Sequence, residues 1–248
     1  MTFDPAAVAD AVIAALRPLG RPERAAQEKR YLKSDLDFLG VTLPEVRRVV
    51  ITASRRHPDL TRDELVAWAL ALWDDALWER RIAAVEVLSL RVRALSAADL
   101  ATVEELIRAG AGWALVDPLA ANVAGHIALK HPDAWQRIDA WSLDEDFWVR
   151  RAALLSLLAG IRTGQPDLAR FDRYATPMLG EKEFFIRKAI GWVLREISKS
   201  DPGYVTAWTE RHVREMSGVT FREAIRRLPA GEAARLAAAS QLRQAHRS

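Results

Sequence analysis

Six segments of the chain begin with a large apolar residue and recur at a spacing near 36 residues. They lead with Leu43, Trp78, Trp113, Trp148, Phe185 and Phe221, so the steps are 35, 35, 35, 37 and 36. Three of them read "WERRIAAVEVL" from 78, "WVRRAALLSLL" from 148 and "FIRKAIGWVL" from 185. Each has an aromatic, then a basic pair, then alanines and aliphatics. A period of this length fits two helices and two turns. Neither helix can bury its apolar face alone, so successive pairs must stack. The expected fold is all-α: an α-α superhelix, a HEAT-like repeat solenoid of about six helix pairs, curved with a basic concave face.

Local signals agree. Apolar residues recur at three- and four-residue spacing, as in Leu65, Trp68, Ala69 and Leu72. Thr61 with Glu64, Ser96 with Asp99 and Ser142 with Glu145 have capping-box form. No stretch alternates as a strand bounded by turn signals. Nothing resembling a linker interrupts the series. One domain over 1–248 is therefore expected, with an N-terminal cap (1–40), repeats (41–228) and a C-terminal capping helix and tail (229–248).

Composition removes several classes of function. Cysteine is absent, so there is neither a disulfide framework nor thiol chemistry, and a reducing cytoplasm suits the chain. The opening "MTFDPAAVADAVIAALRPLG" places an acid early and lacks a basic n-region, so it reads as an amphipathic helix. No apolar run reaches the roughly 18 residues of a membrane span. The five histidines are scattered without ligand spacing, so no metal is expected. Phosphate-binding glycine motifs and the GxSxG elbow are missing, so no cofactor and no serine nucleophile are expected. The net charge of +3 permits an anionic partner without requiring one. Nothing in the pattern asks for a dimer, so a monomer is expected.

Aligning the segments turns composition into position. The slot four after the leading residue holds Arg47, Ile82, Asp117, Ala152, Ala189 and Ile225. The slot seven after holds Val50, Val85, Ala120, Leu155, Trp192 and Leu228. Asp117 and Trp192 are thus anomalies on one helical stripe. Slots two and three carry Arg80 and Arg81, Arg150 and Arg151, and Arg187 and Lys188. These pairs suit a phosphate backbone; equally, they suit a solvated face balanced by acids such as Glu79 and Glu181. Asp117 allows three readings: a buried acid paired with an arginine, a helix cap completed by Pro118, or a reactive carboxylate beside Trp113.

Longer motifs carry a resemblance. "YLKSDLDFLGVTLPEVRR" at 31–48, "WALVD" at 113–117, "LKHPDAW" at 129–135, "FWVRRAALL" at 147–155 and "EFFIRKAIGWVLRE" at 183–196 resemble the AlkD-type DNA alkylation repair glycosylases. The resemblance spans roughly Tyr31 to Phe221. It implies a HEAT-like fold and excision of N3- or N7-alkylated, cationic purines from double-stranded DNA containing alkylated bases. It also implies a nucleoid-associated place in the cytoplasm. By this resemblance Asp117 is the catalytic carboxylate, Trp113, Trp192 and Tyr31 are the lesion- and DNA-contacting aromatics, and Arg151 contacts phosphate. Arg150, Lys188, Arg81 and Arg47 would extend that phosphate track. Gly112 stands where the family often has a second aromatic, and Pro118 where an aliphatic is expected. The alternative, from another class, is a non-catalytic HEAT-like module that binds nucleic acid or protein.

Overall fold

The computed structural model describes residues 3–245, so the basic end of the tail, residues 246–248, lies outside the described residues. The chain is built from helices. In order they are α1 (Pro5–Leu16), α2 (Pro22–Leu32), α3 (Leu43–Arg55), α4 (Arg62–Trp73), α5 (Trp78–Leu90), α6 (Leu100–Gly110) and α7 (Trp113–Pro118). A π-helical turn, Leu119–Ala124, joins α7 to α8 (Gly125–Lys130). Then follow α9 (Trp135–Trp141), α10 (Phe147–Arg162), α11 (Leu168–Met178), α12 (Phe184–Ile197), α13 (Pro202–His212), α14 (Gly218–Ile225) and α15 (Ala230–Ala245). An isolated bridge between Asp37 and Leu77 is the nearest approach to sheet pairing among the described residues.

Each leading residue of the repeat falls at or near the start of a helix in one row. That row runs α3, α5, α7 with α8, α10, α12 and α14, each packed on the next. Their buried aliphatics join one continuous core extending from Ala9 to Leu236. The solenoid expected from the period is the fold observed.

The repeats are also stitched by polar contacts one period apart. The Trp141 indole N–H donates to Glu104 at 2.7 Å across 37 positions. Trp208 donates to Asp172 at 2.5 Å across 36. Tyr174 donates to Asp139, and Arg62 pairs with Asp99. Part of the high tryptophan content is thereby explained: the ring fills the core while its N–H satisfies an acid of the preceding repeat.

Slot two has a structural task. Arg80 donates to the Ala71 carbonyl at 2.9 Å, Arg150 to the carbonyls of Asp144 (2.6 Å) and Glu145 (2.8 Å), and Arg187 to that of Glu181 (2.7 Å). Arg150 and Arg187 hold the loops that enter their own helices, and Arg80 holds the last turn of α4. Glu79 is not on a solvated face either. It is fully buried and accepts the amides of Leu39 (2.9 Å), Gly40 (2.8 Å) and Val41 (3.0 Å), fixing the segment that leads into α3. Glu79→Ala would leave those donors unpaired. It is expected to destabilise the chain by about 2–3 kcal/mol, read as a lower urea midpoint at unchanged slope.

Candidate active site

The connection between α6 and α7 is only Ala111 and Gly112. Ala111 adopts the left-handed region (φ 35°), which costs an alanine energy that glycine would not pay. Gly112 is the extended N-cap of α7. This abrupt turn starts a new helix at Trp113 and brings the next helical turn, with Asp117, onto the same side.

The helix does not begin at Asp117. Pro118 is inside α7 with ordinary helical angles (φ −69°, ψ −34°), so the capping reading of Asp117 is overturned. Pro118 cannot donate to the Ala114 carbonyl, but the next amide, that of Leu119, resumes the ladder on Leu115, and the wide turn Leu119–Ala124 follows directly.

Asp117 faces a cavity of about 410 Å³. Tyr31, Arg47, Trp113 and Trp192 line it together with Asp117, so five of the expected residues converge across some 160 positions of sequence. The rings of Tyr31 and Trp113 meet edge to face, 5.9 Å between centroids. Tyr31 is 72% exposed at the rim. Trp192 reaches the cavity from α12, and Trp78, Glu86 and Asn122 complete the wall nearest α5 and the π-turn.

The Asp117 carboxylate is held by a two-pronged ion pair. Arg151 donates Nε to Oδ1 and Nη2 to Oδ2, both at 2.8 Å. Its Nη1 donates to the Phe185 carbonyl, and its guanidinium lies over the Phe185 ring at 5.6 Å. Only 2% of the Arg151 side chain is exposed, against 13% of Asp117. Burial raises the Asp117 carboxyl above its ordinary value, while the Arg151 fork and the Lys188 charge oppose that rise.

This geometry corrects the phosphate track. Arg151 is buried and turned toward Asp117 and Phe185, so this conformation offers a phosphate no face of it. Arg150 is forked to Glu181 (Nε–Oε1 3.0 Å, Nη2–Oε2 2.7 Å), so its charge is balanced. Arg47 is forked to Glu86 (2.7 and 2.9 Å) but remains half exposed at the cavity edge. Arg81 lies outside this cavity, over the Trp73 ring and near the Ala109 carbonyl. Lys188 is exposed, with its ammonium 5.8 Å from the Phe184 ring centre. Slots two and three look alike in sequence, yet they face different surroundings because one residue turns a helix by about 100°.

Arg24, Glu28, Glu86 and Asn122 are polar wall residues without a signal in the repeat stripe. Glu86 follows Trp78 by eight. Asn122 follows Trp113 by nine, where the other segments from α5 to α12 have Val87, Leu157 and Leu194, all buried. An extension of the slot comparison by two positions finds Asn122. Among the described residues no cluster of three acids or histidines could hold a metal, and no helix is long and apolar enough to cross a membrane.

The fold is similar to that of solved structures. A solved structure of a predicted DNA alkylation repair enzyme from Enterococcus faecalis is 24% identical, with a TM-score of 0.74 over 85% of this chain and 97% of that one. The AlkD2 structure from Streptococcus mutans is 18% identical, with a TM-score of 0.58 over 84% and 99%. These likenesses concern the fold. None of the curated proteins compared with the chain matches it. A family model described as "DNA alkylation repair enzyme" matches residues 12–228, most of the length, and the chain belongs to that family.

Proposed function

We propose that the chain is a DNA glycosylase that excises N3- or N7-alkylated purines from duplex DNA by hydrolysing the N-glycosidic bond. One observation carries this reading: a carboxylate held by a bidentate arginine opens into an aromatic-walled cavity along the row of helices that carries the repeat's leading residues. A purely structural ion pair would not need three aromatic side chains around its open side.

The chemistry follows from charge. An alkylated purine is already cationic, so it leaves as a neutral base without a general acid. The barrier lies in the oxocarbenium-like sugar. A fixed anion stabilises that charge and accepts a proton from the attacking water. Asp117 is placed for both roles, and Arg151 prevents it from turning away. Trp113 and Trp192 offer π faces to the cationic base and sugar, each contributing roughly 0.5–2 kcal/mol. Lys188, exposed and without an acidic partner among the described residues, is the residue proposed to meet phosphate. Many base-excising enzymes swing the base into a deep pocket; the cavity here is an open recess in a groove, suited to a base that stays near the helix.

The rival reading, a non-catalytic nucleic-acid-binding member, rests on the Asp117–Arg151 pair being saturated as it stands. Duplex DNA methylated at purine N7 and N3 separates the two. Release of free methylated base, undiminished in EDTA, is the expected result. Intact DNA binding with no release would overturn the glycosylase reading.

A further inference from the structure

We propose that Asn122 holds the attacking water, and that a side cavity beyond it supplies that water; the proposal rests on the glycosylase reading above. Asn122 follows Asp117 by five residues. In a regular α-helix the two would point about 140° apart. The π-helical turn Leu119–Ala124, which contains Asn122, underwinds the chain after Asp117 and narrows that angle. Both side chains accordingly line the same 410 Å³ cavity.

The sequence explains why the turn is wide there. Pro118 cannot donate to the Ala114 carbonyl, which interrupts the α-helical ladder at the point where the π-turn starts. The turn cannot relax afterwards. Leu119, Ala120, Ala121, Val123 and Ala124 are buried, and a Cβ at Gly125 would stand 2.3 Å from the Ser156 carbonyl oxygen of α10. Asn122 is the one residue of this turn left partly exposed. Among the described residues, no protein group hydrogen-bonds to its side-chain amide.

Asn122, Glu86 and Arg47 form a wall common to the lesion cavity and a second cavity of about 290 Å³. The second cavity continues past Ser89 to His126. The Ser89 hydroxyl is buried there without a protein partner, and with Arg47, Glu86 and Asn122 at the same wall it offers water several polar partners. DNA lying over Trp113 and Trp192 would cover the first cavity. The second then remains as an approach for solvent, with Asn122 at the junction.

Both Asp117 oxygens already accept an Arg151 N–H. One further bond to Asp117 would leave a water free to rotate about it. The Asn122 carbonyl adds a second acceptor, which fixes the water lone pair toward C1′. As the C1′–N bond breaks, its electron pair leaves with the neutral base. The water oxygen forms the new bond to C1′, and its proton passes to Asp117 and on to solvent. Asn122 is a neutral amide, so it orients the water without competing for the proton.

The test is single-turnover base release by wild type, Asn122→Ala and Asn122→Leu, run in water and in water–methanol mixtures. Both variants are expected to release base 10- to 100-fold more slowly, with lesion-DNA affinity within about threefold. The share of methyl glycoside among the sugar products is expected to rise in Asn122→Ala, because water no longer has a reserved place. A slower rate with an unchanged methanol share would mean a merely structural effect and would overturn the proposal. Unchanged rate and share would overturn it too, leaving the glycosylase reading intact. No release by wild type would overturn both. Ser89→Leu, which narrows the side cavity without lining the lesion cavity, should also slow release, and an unchanged rate there counts against the proposal should an Asn122 variant not fold.

Discussion

Asp117→Asn is expected to slow base release by about 10³-fold or more, in the range found when a preorganised charge or general base is removed. That corresponds to about 4 kcal/mol of transition-state stabilisation. The substitution preserves shape but removes the anion that faces the developing sugar cation. It also sets an amide N–H₂ against the Arg151 fork, leaving a buried guanidinium without its counter-charge. Some loss of stability must accompany the loss of rate, so release has to be compared well below the melting midpoint of the variant. Binding to lesion-free duplex should be nearly unchanged, since Asp117 contributes no phosphate contact. The pH profile supplies an independent check. The anion is the active form, so wild-type release is present above the Asp117 pKa and is lost as pH falls through it. Burial raises that pKa, so the acid limb should lie above the ordinary carboxylate range near 3.9. Asp117→Asn should lack the limb. Equal activity in the variant would remove Asp117 from the mechanism.

The fold was legible because a solenoid writes its period directly into the chain. Each pair of helices repeats the same burial problem, and Trp78, Trp113 and Trp148 mark the solution at equal intervals. Asp117 and Trp192 were legible for the same reason: a repeat makes a deviant residue visible against its counterparts. The charge partners were legible only in part: Glu181 and an arginine for Asp117 were foreseeable, but not which arginine takes which acid. Arg150 and Arg151 are neighbours of one type, yet one grips loop carbonyls and Glu181 while the other is buried against Asp117. Sequence spacing gives the face of a helix but not what the next repeat sets opposite. The role of Pro118 was hidden as well. Asp-Pro is a good helix start locally, but Gly112 takes the capping position and the buried π-turn fixes the chain beyond the proline. Asn122 was easy to overlook because it stands two slots beyond Ala120, past the stripe that carries Asp117 and Trp192.

Arg151→Gln separates the two roles available to this arginine. In the observed conformation its work is done on Asp117, through two charged hydrogen bonds in which both side chains are largely buried. Removing the cation leaves the carboxylate desolvated and uncompensated, so its pKa should rise further. The acid limb of release should therefore move to higher pH, and activity lost near neutrality should return in part as pH is raised. Stability follows the same linkage. A carboxyl whose folded pKa lies above its unfolded value favours folding below the unfolded pKa, and that contribution is lost as pH rises through the folded one. Near neutral pH the variant should be less stable than wild type by about 3–5 kcal/mol, the cost of breaking a buried pair on one side. The gap should narrow as acid protonates Asp117, measurable as urea midpoints across the pH range. A phosphate contact would behave otherwise. Its loss would weaken binding to any duplex and lower the salt slope by about one, while the acid limb stayed where it was. A fixed limb with a reduced slope would thus assign Arg151 to the DNA backbone, and a displaced limb with an unchanged slope assigns it to holding Asp117.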